Sequence, residues 1–243
     1  MGQEVRQDLA MSVKILLELL RTLDKECEEG IGVQKERAVL LEAYAAIAYC
    51  CSFRGHEVLL VDLHGLIKYS WEQLIEGGHV YPIIPLLGRL KKEDRERYHL
   101  TPLAERTASC INLCLWVGRL VELKLSQGLE RGSAFSNRVG QPIDTRWLEL
   151  ELLDRLHLIQ GERADLIPPE VNVHDGYGIS RSFRRGATTQ ARNQGVTEND
   201  INAMNRWRNA ESAQGRKPWL KMQDHYSDIR QMVPTLLRFS RAL

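Results

Sequence analysis

Between Lys35 and Cys51 the chain leaves almost no polar face. Val39, Leu40, Leu41, Tyr44, Ala45, Ala46, Ile47 and Ala48 crowd together, so a helix over this stretch is apolar on nearly all sides. Such a helix has to be enclosed by other elements, which the rest of the chain must supply. A length of 243 residues, 43% hydrophobic and 27% charged, is enough for a domain with a sizeable core. No apolar run reaches the roughly 18 residues that a membrane span needs, and Met1–Arg21 lacks a basic start leading into a signal-peptide core. Membrane and secretory roles are therefore not expected. The five cysteines (Cys27, Cys50, Cys51, Cys110, Cys114) are odd in number and lie mostly in apolar, helix-like stretches. A disulfide framework is not expected, and a reducing, intracellular compartment is favoured. Cys110 and Cys114 are four apart but sit among Leu113, Leu115 and Trp116 with no second ligand pair, so no metal site is expected.

Helical periodicity flanks the central segment. Leu9, Val13, Leu16, Leu17 and Leu20 predict an amphipathic helix over residues 8–23, and the acidic, glycine-containing Asp24–Gly32 reads as a loop. The central helix gives way at Ser52-Phe53-Arg54-Gly55, and a short apolar piece follows from Val58 to Leu63. Tyr81-Pro-Ile-Ile-Pro-Leu-Leu, a charged tip from Lys91 to Arg97, and Tyr98-His-Leu-Thr-Pro-Leu103 read as a β-hairpin. Pro82, Pro85 and Pro102 restrict its strands to sheet edges. Helical spacing resumes at Leu113, Trp116, Val117 and Leu120, and again at Leu148, Leu152, Leu156 and Ile159. Connections are expected over 128–143 and 161–178. Arg184–Asn193 is helix-like, Gly195 is a natural stop, and Thr197-Glu-Asn-Asp200 resembles a capping box opening another helix. Met222, Tyr226, Ile229 and Val233 share one face of a final helix. The expected fold is α+β and mainly α, with one small antiparallel β-sheet. Residues 1–30 form an N-terminal helix and linker, and 31–243 form the main domain.

The net charge of +1 hides a split. From Gly176 to Leu243 there are 12 Lys+Arg against 5 Asp+Glu, giving +7, while residues 1–175 hold 21 against 27, giving −6. A basic last third on a mildly acidic body suits contact with a polyanion from one side.

Two stretches could carry chemistry. In Ile179-Ser-Arg-Ser-Phe-Arg-Arg-Gly-Ala-Thr188, Arg181 and Arg184 lie three apart at a helix start, where backbone N–H groups favour an anion. A guanidinium keeps its charge and offers a fork of donors matched to phosphate oxygens. Read alone, the cluster is a solvated basic surface. In the second stretch, Arg54 sits at the break after the buried helix, with Glu57 three residues on as an available partner.

Taken in order, these motifs resemble the catalytic domain of the tyrosine recombinases, the phage-integrase family. Arg54, Glu57 and the apolar run Leu59–Leu63 match that family's arginine, glutamate and apolar segment. Lys91 and Lys92 fall in the hairpin where the family has a lysine. Arg181-Ser-Phe-Arg184 occupies the H-x-x-R box, and Arg185-Gly186-Ala187-Thr188 follows it. Asn205-Arg206-Trp207 lies at the position of the family's His or Trp, about six helical turns on. Tyr226, in Asp224-His-Tyr-Ser-Asp228, is placed for the nucleophile. The likeness spans about residues 35–240. Three features depart from the pattern. Arg181 replaces the box histidine, 18 residues separate Trp207 from Tyr226, and any N-terminal DNA-clamping domain is absent or reduced to residues 1–30.

The resemblance implies a site-specific DNA recombinase from a mobile element, cutting and rejoining double-stranded DNA through a 3′-phosphotyrosyl intermediate without metal, ATP or other cofactor. By that likeness Tyr226 is the nucleophile, Arg54 and Arg184 bind the non-bridging phosphate oxygens, and Lys91 (or Lys92) is the general acid. Arg181 binds phosphate but cannot act as a base. Trp207, or Arg206 in its place, contacts the phosphate or packs on the tyrosine helix, and Glu57 supports Arg54. A homo-oligomeric, tetrameric synapse on DNA is implied, in the nucleus of a eukaryotic host or otherwise the cytoplasm. Two other readings stay open. One is a catalytically degenerate, domesticated DNA-binding protein, with 184–195 and 197–208 as a helix-turn-helix. The other is a type IB topoisomerase-like relaxase using the same residues. In the family the amphipathic tail Ile229–Leu243 docks into a neighbouring subunit; packing on its own domain is the alternative.

Overall fold

The computed structural model describes residues 8–71, 74–76, 79–88, 97–179, 181–205 and 229–243. The described residues are mostly helical and contain two separate two-stranded antiparallel sheets. Helix α2 (Val33–Cys50) is the axis of the core, and every residue from Ala38 to Cys50 is buried. Around it pack α1 (Val13–Glu29), α5 (Leu113–Ser126), α6 (Thr145–Glu162) and α8 (Ser182–Asn193). Leu16, Leu19 and Leu23 of α1 are fully buried in the same core.

Helix α1 departs from expectation at both ends. It begins at Val13 because the Ser12 hydroxyl accepts the Ile15 N–H at 3.3 Å, an N-cap. It runs on to Glu29, so most of the expected Asp24–Gly32 loop is helical. Cys27 extends the apolar stripe onto α2, and distant arginines neutralise the acidic residues. Arg119 of α5 meets Asp24, and Arg155 of α6 meets Glu26 at 2.8 Å.

Glu42 is a buried carboxyl in the middle of α2. It faces the Cys27 thiol at 3.6 Å and Arg119 at 3.3 Å. Desolvation outweighs the arginine and pushes its pKa up to about 7; burial likewise pushes the Cys27 thiol up to about 12. The folded chain therefore binds the Glu42 proton more tightly than the unfolded chain. This contribution is fully present below the ordinary carboxyl pKa and is lost as pH rises through about 7. Stability should fall by roughly 1–3 kcal/mol from this source across that window. Urea midpoints for Glu42→Gln should be flatter there than for the parent.

The expected hairpin forms from β3 (Ile83–Gly88) and β4 (Arg97–Pro102), in the register Ile83↔Pro102 and Leu86↔His99. The expectation of edge strands does not hold for β3: on the side away from β4, Val61 bridges Leu86 and Asp62 N–H donates to the Pro85 carbonyl at 3.0 Å, so Pro85 serves there as an acceptor. A second pair, β1 (Leu74–Glu76) with β2 (His79–Tyr81), was not expected. Three-residue strands carry little periodicity, although Gly77-Gly78 between them is a two-residue hairpin signal. The loop expected over 161–178 contains a short helix, α7 (Val173–Gly176). It is capped by the Asn172 side-chain oxygen accepting from Asp175 N–H at 3.2 Å.

Helix α8 ends at Gly195, whose φ of +78° suits glycine. Thr197 Oγ1 then accepts the Asp200 N–H at 3.2 Å to open α9 (Glu198–Asn205). The N-terminal segment straps across the front of α8, with Leu9 N–H donating to the Gly176 carbonyl at 2.6 Å and Met11 N–H to the Ser182 carbonyl at 2.9 Å. A Cβ on Gly186 would lie 1.8 Å from the Met11 carbonyl oxygen and 3.0 Å from the Tyr49 ring. Helix propensity favours alanine by roughly 1 kcal/mol, but the clash is with backbone and wins. Gly186→Ala should lose roughly 1–3 kcal/mol in urea unfolding.

The last helix, α10 (Ile229–Arg241), lies on α9 and β4 of its own domain. Phe239 and Leu243 are fully buried, Arg238 grips Asp200 with two hydrogen bonds of 2.9 Å, and Ser240 Oγ accepts from Ala104 N–H at 2.8 Å. The Arg238 guanidinium holds the Asp200 carboxyl below its ordinary range. Within this chain the tail thus lies against its own domain.

Candidate functional site

Where α2 ends, the chain turns sharply. Ser52, fully buried, adopts a φ of +51°, Phe53 plugs into the core, and Arg54 follows as the N-cap of the short helix α3 (Gly55–Val58). Glu57, three residues on, has no solvent exposure. Its Oε2 accepts the Arg54 backbone N–H at 2.8 Å, and its Oε1 accepts Arg54 Nη1 at 2.9 Å. The first turn of α8 brings Arg184 to the same carboxylate, with Nη1 3.6 Å from Glu57 Oε2. Arg184 Nη2 donates to the backbone carbonyl of Asn205, the last residue of α9.

Two guanidinium groups from distant parts of the chain thus share one carboxylate. Arg184 is nearly enclosed, with its side chain 7% exposed, whereas that of Arg54 is 29% exposed and gives the cluster its opening to solvent. Such a cluster can receive a small anion at the Arg54 side, with charge-assisted hydrogen bonds from a rigid fork.

Arg181 stands apart from this trio. It is the N-cap residue of α8, its side chain is 67% exposed, and its Nε lies 3.9 Å from Asp8 of the N-terminal strap. Lys91, Lys92, Arg206, Trp207 and Tyr226 lie outside the described residues. Three other tyrosines, Tyr44, Tyr49 and Tyr177, are buried, and desolvation raises the pKa of each phenol. Tyr98 is 44% exposed and donates to Asp62 at 2.5 Å. Among the described residues, no group of three or more His, Cys, Asp or Glu is placed to hold a metal ion, and no helix is long and apolar enough to cross a membrane.

Sequence reasoning assigned no role to Ser52, Thr188 or Asn205, the polar residues that tie this region together. Thr188 and Asn205 fall inside the motif stretches 185–188 and 205–207 and Ser52 at the break after the buried helix, but nothing in the sequence marks the three as partners. Near the start of α2, a separate cleft of about 460 Å³ is lined by Val33, Leu40, Ile143 and Trp147, with the Arg37 guanidinium 5.9 Å from the Trp147 ring centre. Its charged groups pair with carboxylates, Arg138 with Glu36 and Arg37 with Glu151, so it is an apolar cleft rather than an anion site.

No protein-family model matches the sequence, and no curated protein matches it. Among solved structures, the fold is similar to the XerH site-specific recombinase bound to its difH substrate in a pre-cleavage complex. The TM-score is 0.48 with 16% sequence identity, over 88% of this chain and 54% of that one. The chain therefore spans about half the length of that recombinase.

Proposed function

We propose that this chain is a site-specific DNA recombinase or integrase of the tyrosine type. The observation that carries the reading is the meeting of Arg54 and Arg184 on Glu57 across some 130 residues of sequence, with Arg54 opening to solvent. A scissile phosphodiester bound there would have its non-bridging oxygens held by the two arginines, which offset the charge that grows in the transition state. Tyr226 Oη attacks phosphorus, the bond to the 5′-oxygen breaks, and Lys91 or Lys92 donates a proton to that leaving oxygen. Arg181 is cationic and cannot take the phenol proton, so this proton passes to solvent water. The phosphotyrosyl bond conserves the energy of the broken linkage, and attack by a free 5′-hydroxyl rejoins the strand. Trp207 or Arg206 supports the phosphate or the tyrosine helix. Double-stranded DNA is the substrate, and a tetrameric synapse is the assembly this chemistry calls for. Burial sets Tyr44, Tyr49 and Tyr177 aside as nucleophiles, and the choice of Tyr226 rests on its place in the order of motifs.

The position of Arg181, exposed against Asp8, also supports a second reading, a degenerate recombinase that binds DNA without cutting it. A nicked suicide substrate separates the two. A covalent protein–DNA adduct supports the enzyme; salt-dependent binding with no adduct supports the binding protein.

A further inference from the structure

Asn205 joins three segments around the arginine cluster. Its Oδ1 accepts from the Ser52 hydroxyl at 2.8 Å, and its Nδ2 donates to Thr188 Oγ1 at 3.1 Å and to the Ile201 carbonyl at 2.9 Å. Its backbone carbonyl accepts from Arg184 Nη2. The residue is 1% exposed, Thr188 7% and Ser52 not at all, so these bonds form away from water. Both ends of the amide are used, and an aliphatic side chain of the same size could replace neither.

The contacts serve two different needs. Ser52 holds a left-handed backbone conformation that a non-glycine residue rarely adopts, and it persists only where the surroundings fix it. The Ser52–Asn205 bond is one such restraint, two residues before Arg54. At the other end, a nearly enclosed guanidinium needs hydrogen-bond acceptors, and a backbone carbonyl can be one of them. The Asn205 carbonyl is that acceptor for Arg184.

We propose that Asn205 is a positioning residue for the anion site. Its side chain steadies the turn that carries Arg54, its carbonyl seats the guanidinium of Arg184, and the pair is thereby held together on the Glu57 carboxylate. This rests on the reading that the anion is a DNA phosphate.

The test is the salt dependence of binding between the full chain and a random-sequence DNA duplex. Each lost phosphate contact reduces the slope of log K against log[salt] by about 1. Arg184→Ala is the reference and should show that reduction. Asn205→Ala and the isosteric Thr188→Val should show it as well, while Thr188→Ser, which restores the hydroxyl, should return the parental slope. A purely structural role would lower the melting temperature and leave the slope of the folded protein unchanged, and that result overturns the proposal. If Asn205→Ala does not fold, the Thr188→Val and Thr188→Ser pair decides. An unchanged slope in Arg184→Ala defeats the phosphate reading itself and the proposal with it. That outcome is distinct from a changed slope in Arg184→Ala alone, which defeats only the role of Asn205.

Discussion

Glu57→Ala should be the most damaging single substitution for the fold, lowering stability by roughly 3–5 kcal/mol. The carboxylate has no solvent exposure and balances Arg54 and Arg184 together. Its loss leaves the nearly enclosed Arg184 without that counter-charge and the Arg54 backbone N–H without its acceptor. A deletion of this size is a large share of the roughly 5–15 kcal/mol that holds a domain together. Glu57→Gln keeps the shape and one acceptor oxygen but not the charge, so it should fall between the parent and the alanine variant. Urea midpoints at constant m-value read the effect. A loss below about 1 kcal/mol for Glu57→Ala would mean that water already reaches both arginines and that the carboxylate does not organise them.

Arg184→Ala should reduce strand cleavage by about 10²–10³-fold, the usual effect of removing one group that stabilises transition-state charge. The fold should survive, because Arg54 keeps two hydrogen bonds to Glu57 without it. Arg184→Lys should recover little, since an ammonium is a point charge and cannot span Glu57, the Asn205 carbonyl and a phosphate as the planar fork can. Arg181→Ala should weaken DNA binding and leave the cleavage step nearly intact, as befits an exposed residue beside Asp8. Single-turnover cleavage of a nicked duplex, with far-ultraviolet circular dichroism as the folding control, measures all three variants. Cleavage by Arg184→Ala at the parental rate would remove this arginine from the chemistry.

The parts of this molecule that the sequence exposes are those in which a local pattern and the tertiary outcome coincide. Helix α2 is enclosed on all sides, so its burial is written as a continuous apolar run. The β3–β4 hairpin shows through two proline-containing segments that flank a charged run in the sequence. Beyond residue 23 helix α1 departs from its local pattern, because Asp24 and Glu26 look like loop residues until Arg119 and Arg155, far along the chain, are placed against them. The tail 229–243 shows an amphipathic stripe, which says that a face is covered but not by which molecule; here α9, β4 and the segment around Ala104 and Ala108 cover it.

The same distinction applies to the site. The spacing of Arg54 and Glu57 is local and can be read directly. The arrival of Arg184 on the same carboxylate is tertiary, and only an ordered set of motifs could raise the expectation. Asn205 stayed hidden because part of its role rests on a backbone carbonyl, which every residue possesses. Its side chain meets partners 153 and 17 positions away, Ser52 and Thr188, and no periodicity records such a link.

If the two arginines and one phenol act on a single scissile phosphate, mass mapping of the DNA-linked peptide will locate that phenol. After trapping on a nicked duplex, nuclease trimming and trypsin digestion, the nucleotide adduct should sit on the peptide Met222–Arg230, which contains Tyr226 and no other tyrosine. It should vanish in Tyr226→Phe. An adduct on Tyr98 or any other tyrosine, or one that persists in Tyr226→Phe, would contradict the account.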